Sequence, residues 1–272
     1  MKQDFYVHIH PIGYGHEFLE LNHIEKVSKD RNIPIIITPH VDDYNPTFYE
    51  KNLYNKMLED LTELSKENNM LIKGAEFSAQ TILTIPSEFV NSFDIKILSL
   101  HDKFKRNGYI VNEDNSVNVE LTLAKRREYP WIYTTKYTSK DLLDLIRTIV
   151  SKYNIDIFGH IDRCMRDMLI NPTEEEIDNT YKGILNIAKE HNICVEANLA
   201  ILDEDRFYKL IDDCTEQDIK IVIGFDAHYR SDIKERTKEF NSLLELINTD
   251  NQVSLNEFLS MHKDRENCLV NL

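Results

Sequence analysis

The chain has 272 residues, of which 42% are hydrophobic, and its formal net charge is −15 at pH 7. This length suffices for one large α/β domain or two small ones with a sizeable core. The acidic balance argues against binding of nucleic acid through a broad basic face, because that mode depends on neutralising many phosphates. A phosphate-bearing substrate would have to meet a local cluster of positive charge or bound metal ions.

Seven short runs rich in β-branched residues predict strands, and longer segments of helical period separate them. Apolar runs of this length are typical of strands buried on both faces of a parallel sheet. The strand candidates are 5–10, 33–40, 70–77, 94–101, 155–160, 193–198 and 219–226. The helix candidates are 17–30, 48–68, 139–153, 174–191, 205–217 and 232–247. Thr173 is a capping candidate for the helix that follows it.

This alternation predicts successive βα units, so the expected fold class is α/β, closing into a barrel or nearly so. Periodicity alone does not separate a barrel from an open doubly wound sheet. The long polar segment 102–138 breaks the rhythm, and we expect it to be an insertion after the fourth strand. No repeat or linker is found, which favours a single domain over 1–272. The tail 248–272 is expected to pack on the barrel through Leu255, Phe258 and Leu259.

The residues best suited to bind metal recur at the ends of the predicted strands. Because parallel strands end at one face of a barrel, these side chains should converge there. They are His8, His10, His40, Glu76, His101, His160, Asp226 and His228, and His16 follows in the first loop. A single histidine at a strand end is more often a hydrogen-bonded polar residue than a ligand. The joint placement is what favours a site, and His23, His191 and His262 fall outside it as surface or helix residues.

Seven imidazoles and two carboxylates, with no thiolate, suit Zn, Mn or Fe. Nine ligands are too many for one ion, so two or three divalent ions are expected, with a carboxylate such as Glu76 bridging a pair. Clustered cations attract phosphate, lower the pKa of a bound water and stabilise an in-line displacement. The pattern therefore predicts hydrolysis of a phosphate ester.

The four cysteines, Cys164, Cys194, Cys214 and Cys268, are widely spaced and form no C-x-x-C pair. This spacing is unlike a disulfide framework or a zinc ribbon. The N-terminal sequence MKQDFYVHIH lacks a long apolar segment, and no run of 18 apolar residues occurs. We therefore expect reduced cysteines in a cytoplasmic protein without a signal peptide or a membrane span.

The same motifs resemble the PHP superfamily, which is named for its polymerase-associated and histidinol-phosphatase members. The matching segments are H-x-H at 8 and 10, His16, TPH ending at His40, GAE ending at Glu76, SLH ending at His101, GHID beginning at Gly159 and FDAH ending at His228. The resemblance implies a distorted (β/α)7 barrel with a trinuclear metal centre. Pro39 departs from the T-D-H that family members often carry. The ligand His40 is kept, but the residues around it that influence metal affinity differ.

Carried over motif by motif, the resemblance implies three metal sites. One ion would take His8, His10, Glu76 and Asp226. A second would share Glu76 and add His101 and His160. The third would take His16, His40 and His228.

A chain of this length resembles the histidinol-phosphate phosphatases most within the superfamily, which implies hydrolysis of L-histidinol phosphate in histidine biosynthesis. A metal-bridging hydroxide would attack phosphorus in line, with Asp226 and His228 among the catalytic residues. The resemblance also implies arginines that hold the phosphate, a task for which the guanidinium fork is well shaped. Arg163 is the best candidate and Arg166 a weaker one, and a surface arginine paired with Asp162 or Asp167 is an equal alternative for Arg163. A second phosphate-binding arginine is expected after the sixth strand candidate, where Arg206 is the one arginine in the segment VEANLAILDEDR, in doubtful register.

Three alternatives stay open at the level of the sequence. The same site would act on another substrate, such as a phosphotyrosine-protein, a nucleotide or sugar phosphate, or a phosphodiester. The second alternative is that the chain is a non-catalytic accessory metal domain, like the barrels attached to DNA polymerases. A purely structural zinc role is less favoured, because structural sites are usually closed and have four ligands. The expected partner is a small phosphorylated molecule, without nucleic acid or membrane, and the sequence leaves the oligomeric state open.

Overall fold

The computed structural model describes residues 2–11, 19–41, 51–101, 103–104, 132–161, 163, 165–200 and 204–270. The strands assigned among them are β1 (Tyr6–Ile9), β2 (Ile35–Ile37), β3 (His40–Val41), β4 (Leu71–Ser78), β5 (Ile95–Ser99), β6 (Lys103–Phe104), β7 (Ile132–Tyr133), β8 (Ile157–Gly159), β9 (Cys194–Asn198) and β10 (Ile221–Gly224). The helices assigned there are α1 (Leu21–Arg31), α2 (Lys51–Glu67), α3 (Ser87–Val90), α4 (Ser139–Lys152), α5 (Met165–Met168), α6 (Glu174–Glu190), α7 (Glu204–Glu216), α8 (Arg230–Leu246) and α9 (Leu255–Val270), with a 3-10 turn at Ile82–Thr84.

The main sheet is parallel and follows the order β1-β2-β4-β5-β8-β9-β10, with β3 also paired to β4. Its two outer strands meet through the segment after β10. Phe225 N–H donates to Val7 O at 3.0 Å, Ala227 N–H donates to His8 O at 3.1 Å, and His10 N–H donates to Ala227 O at 2.9 Å. The sheet therefore closes into an α/β barrel of the TIM type, which confirms the predicted fold class and decides against an open sheet.

All seven predicted strands are present, and two of them are irregular. The second strand candidate forms β2 and β3, because Thr38 and Pro39 lie between them and proline has no N–H to donate to a ladder. In β1, Tyr6 pairs with Ile35 but Ile9 pairs with Ile37, so β1 carries one extra residue. A bulge of this kind re-aims the side chains around it, here next to His8.

The interior of the barrel is apolar at one end of its axis and polar at the other. Its lower layer is apolar and its members are fully buried: Phe5, Val7, Ile36, Ile95, Ile97, Ile157, Cys194 and Val222. Two residues further along four of these strands stand Ser99, Gly159, Glu196 and Gly224. Because side chains alternate along a strand, these four positions face the same interior. The barrel is thus sealed below and polar toward the carboxyl ends of its strands.

Helix α9 closes the lower end. Phe258 is fully buried, and its ring stacks on Phe5 at 5.4 Å between centroids. Leu255 and Leu259 are partly buried against the same cluster, so the inward orientation predicted for all three residues is confirmed. The helix itself was not predicted. Asp156, just before β8, accepts hydrogen bonds from the backbone of Lys96 and from Arg265 of α9.

The six predicted helices are found within a few residues of their expected limits. For α6, Thr173 Oγ1 accepts from Glu176 N–H at 3.2 Å, and the Glu176 side chain bonds back to Thr173 N–H at 2.8 Å. The predicted cap is therefore confirmed as a full capping box. At the base of the expected insertion, β6 and β7 pair antiparallel, and 105–131 lies outside the described residues. None of the described helices is long and apolar enough to cross a membrane.

Candidate metal centre

The carboxyl ends of the strands bring together eight of the nine predicted metal ligands. They are His8 and His10 at the end of β1, His40 in β3, Glu76 in β4, His101 after β5, His160 after β8, and Asp226 and His228 after β10. The ninth, His16, lies outside the described residues. All eight are buried except His101 and His228, which are partly exposed.

Glu76 stands at the centre of this cluster and is fully buried. Imidazole nitrogens of five histidines surround its carboxylate: His40 at 2.6 Å, His160 at 3.0 Å, His8 at 3.3 Å, His101 at 3.4 Å and His10 at 3.7 Å. A carboxylate shared among so many potential ligands is suited to bridge two ions.

Asp226, after β10, lies beside this cluster. Its Oδ1 is 3.2 Å from His10 Nε2, 3.5 Å from His228 Nδ1 and 4.0 Å from His8 Nε2. His228 is held by a contact of 2.8 Å between its Nδ1 and the Asp226 carbonyl. Its other nitrogen, Nε2, is 3.4 Å from His40 Nε2. The two carboxylates therefore share His8 and His10 as neighbours.

Three groups of side chains have ligand atoms within 4.8 Å of one another among the described residues. They are His8, His10 and Glu76; His40, Glu76 and His101; and His10, His40 and His228. The first group belongs to one of the three sites that the resemblance implied. The other two mix residues of different implied sites. The partition of ligands among the ions stays a prediction.

The backbone at the site is strained. His8, His160 and Asp226 have positive φ angles of 63°, 27° and 46°. Residues with a Cβ rarely adopt this region, and bulky ones least of all. Asp226 is of a type that tolerates this region, as are Asn32, Asn171, Asn192 and Asp218 elsewhere in the described chain, so the less usual cases are the bulkier His8 and His160. Strain at residues that face one centre is typical of functional sites.

Burial and neighbouring charges shift the pKa values of both carboxylates in the cluster and of His10. Burial alone would raise the pKa of Glu76, but His40, His8 and His101 outweigh burial and hold that pKa well below its usual range. The pKa of Asp226 is likewise well below its usual range, because hydrogen bonding to His10 and the charges of His8 and His228 overcome burial. Burial, reinforced by the charge of His40, lowers the pKa of His10 to about 4. The centre thus presents two ionised carboxylates at neutral pH.

These residues fit divalent metal ions. Among the described residues, His8 Nε2, His10 Nδ1 and His160 Nδ1 are buried and have no hydrogen-bond partner. Buried polar atoms are nearly always satisfied, so unpartnered ring nitrogens in this cluster are consistent with ion binding. The donor set of imidazole and carboxylate suits Zn, Mn or Fe.

Of the predicted arginines, Arg163 lies at the edge of the cluster. Arg163 is half-exposed, and its Nη1 is 3.5 Å from Asp226 Oδ2. Arg166 pairs instead with the exposed Glu174. Both line a cavity of about 190 Å³ whose apolar wall is formed by Met165, Ile177 and Tyr181. The side chain of Arg206 lies outside the described residues.

Sequence reasoning missed the polar residues that support the cluster. Ser78 Oγ is 2.9 Å from His101 Nδ1, and Gln80 donates to His101 O at 2.7 Å. Glu196, in β9, contacts His8 Nδ1 and accepts from His160 N–H. The signal for Glu196 was a carboxylate within a strand candidate, ICVEAN, that was expected to be buried.

No protein-family model matches this chain, and no curated protein matches its sequence. Among solved structures, histidinol phosphate phosphatase from Lactococcus lactis subsp. lactis Il1403, complexed with zinc, L-histidinol and phosphate, superposes with a TM-score of 0.57 at 18% identity, covering 93% of this chain and 95% of that one. A putative histidinol phosphatase from Listeria monocytogenes superposes with a TM-score of 0.51 at 14% identity, covering 87% of this chain and 99% of that one. At this identity the likeness establishes a shared fold.

Proposed function

We propose that this chain is a metal-dependent phosphatase that hydrolyses a small phosphate monoester, with L-histidinol phosphate as the best candidate and histidine biosynthesis as its setting. The observation that carries the proposal is the convergence of six histidines, Glu76 and Asp226 at the carboxyl end of a barrel. The shared fold with a histidinol phosphate phosphatase that binds zinc, L-histidinol and phosphate supports the substrate.

Two or three divalent ions would be held by His8, His10, Glu76, Asp226 and the neighbouring imidazoles. When bound, such ions attract phosphate, activate water as the nucleophile and offset the charge of the transition state. Glu76, surrounded by five imidazoles, would orient ligands on both of its sides. His228 contacts the Asp226 carbonyl and is partly exposed, so a substrate could reach it from solvent.

Arg163 would bind the non-bridging oxygens of the phosphate. It is half-exposed yet reaches to 3.5 Å from Asp226, which places a permanent positive charge at the rim of the cluster. The cavity beside it, about 190 Å³, has room for a small leaving group against Ile177 and Tyr181. In a chain of net charge −15, this local cation is what an anionic substrate requires.

The test compares initial rates on L-histidinol phosphate, p-nitrophenyl phosphate and bis(p-nitrophenyl) phosphate. We expect strong preference for L-histidinol phosphate, and a loss of about 100-fold in kcat/KM in Arg163→Ala, as removal of one transition-state donor typically gives. His10→Ala should abolish turnover. Arg147→Ala, an exposed arginine on α4, is the matched control and should retain the wild-type rate.

Other results would redirect the proposal. Turnover of p-nitrophenyl phosphate without L-histidinol phosphate would keep the phosphatase and exclude this substrate. Preference for the bis-ester would indicate a phosphodiesterase. Bound metal with no turnover of any ester would exclude the enzyme and favour an accessory metal-binding domain.

A further inference from the structure

Glu196 is a buried carboxylate beneath the metal centre that the proposed chemistry does not use. It lies in β9 with 1% of its surface exposed, and its side chain enters the barrel interior just above the apolar layer. A charged group buried this deeply is costly unless its partners compensate it. Its contacts therefore indicate its role.

Both oxygens of Glu196 bind residues of the centre or their neighbours. Oε1 is hydrogen-bonded to His8 Nδ1. Oε2 accepts from the backbone N–H of His160 at 2.9 Å and from Asn198 Nδ2 at 3.0 Å. One carboxylate thus joins the ends of β1 and β8, and both residues that it fixes have positive φ.

The bond to Nδ1 determines where the other ring nitrogen of His8 points. His8 Nε2 lies 3.3 Å from Glu76 and 4.0 Å from Asp226, and it is one of the buried nitrogens without a hydrogen-bond partner among the described residues. A histidine that binds metal through one nitrogen almost always donates its other N–H to a carboxylate, a carbonyl or water. The arrangement of His8 between Glu196 and Glu76 has this form.

Gly224 leaves room for the Glu196 carboxylate. A Cβ added at Gly224 would lie 1.7 Å from Glu196 Oε1. Any side chain at position 224 would displace the carboxylate from His8. The glycine of β10 and the glutamate of β9 therefore form one structural unit.

We infer that Glu196 is a positioning residue, which holds the His8 ring with Nε2 toward Glu76 and Asp226 and fixes the His160 backbone. The inference rests on the proposed function, because it assigns the purpose of the contact to metal binding.

The test measures zinc affinity in a competition assay with a chelating dye, on wild-type protein and two variants. Glu196→Gln keeps the shape, but its amide cannot accept from His8 while its oxygen accepts from His160 and Asn198. Gly224→Ala keeps Glu196 and displaces it. In both variants we expect the affinity for at least one ion to fall about 10- to 100-fold, the range found when such partners of metal ligands are removed.

Asp156→Asn provides the matched control. Asp156 is also a fully buried carboxylate, but it lies at the opposite end of β8 and binds Arg265 and His262 of α9. This variant should lower the unfolding temperature of the metal-free and metal-loaded proteins alike and leave zinc affinity unchanged. Glu196→Gln should instead reduce the difference between those two temperatures.

A measurement on the wild-type protein removes the dependence on folded variants. Nitrogen NMR of zinc-loaded, histidine-labelled protein should show the His8 proton on Nδ1 and the metal on Nε2. The reverse assignment, or wild-type affinity in both Glu196→Gln and Gly224→Ala, would overturn the inference while leaving the proposed function intact. A wild-type chain that binds no divalent metal would overturn both.

Discussion

His8 lies between two buried carboxylates, Glu196 on the side of Nδ1 and Glu76 on the side of Nε2. Burial opposes protonation of this ring, but the two carboxylates outweigh burial and raise its pKa well above 6.5. The two carboxylates therefore favour the protonated form of this ring in the metal-free protein. An ion that binds Nε2 has to displace that proton.

Metal binding should accordingly release protons, and zinc affinity should rise as the pH rises toward the pKa of His8. One displaced proton changes the affinity by about tenfold per pH unit. Titration calorimetry at pH 7 in two buffers of different ionisation enthalpy measures the release directly. Identical binding enthalpies in both buffers would show that no proton is displaced, contrary to this prediction.

Cys194 and Cys214 show how burial controls reactivity at single residues. Burial raises the pKa of each thiol to about 12. Because the thiolate is the reactive form, neither should be alkylated by iodoacetamide at pH 8 in the folded protein, and both should react in guanidinium. Peptide mass spectrometry separates them from Cys164 and Cys268. Equal modification of Cys194 with and without denaturant would contradict the assignment.

At the scale of elements, α6 begins at a capping box whose members are separate from the candidate metal centre. Thr173→Ala removes the acceptor for Glu176 N–H, and we expect the free energy of unfolding to fall by about 1 kcal/mol. Thr148→Ala, at an exposed position within α4, is the control and should change it by less than about 0.5 kcal/mol. Urea denaturation measures both, and equal effects would mean that the box contributes nothing specific.

Helix α9 is expected to be essential because it seals the apolar end of the barrel. Phe258→Ala removes a fully buried ring that stacks on Phe5, and should lower the free energy of unfolding by about 3–5 kcal/mol. Leu246→Ala on α8, where the side chain is 48% exposed, should have little effect. A small loss in Phe258→Ala would show that α9 is not part of the core.

The sequence predicted the long elements well, since buried strands and amphipathic helices carry strong periodic signals. Thr173 marked the start of α6 as the structure has it. Helix α9 was missed because the segment 248–272 was interpreted only as a tail that packs on the barrel. The irregularity at His8 was missed as well, because a bulge depends on the register with β2 and not on local sequence.

At the scale of the whole molecule, the ligand candidates could be predicted because the carboxyl ends of parallel strands lie at one face of a barrel. The residues beneath them could not be predicted. The role of Glu196 depends on its contact with His8 and on the space left by Gly224, and both residues lie far away in sequence. Closure of the barrel likewise depends on hydrogen bonds between its first and last strands. The place of His16 and the course of the insertion stay predictions, outside the described residues.

The central claim is that this cluster binds divalent ions and uses them to hydrolyse a phosphate monoester. The most direct test follows one sample through chelation and return of zinc or manganese, measuring metal content and phosphate release from L-histidinol phosphate at each stage. The account predicts two or three ions per chain, loss of turnover with the metal, and recovery when metal is restored. Turnover that survives complete removal of metal, or a chain that holds no divalent ion, would contradict it.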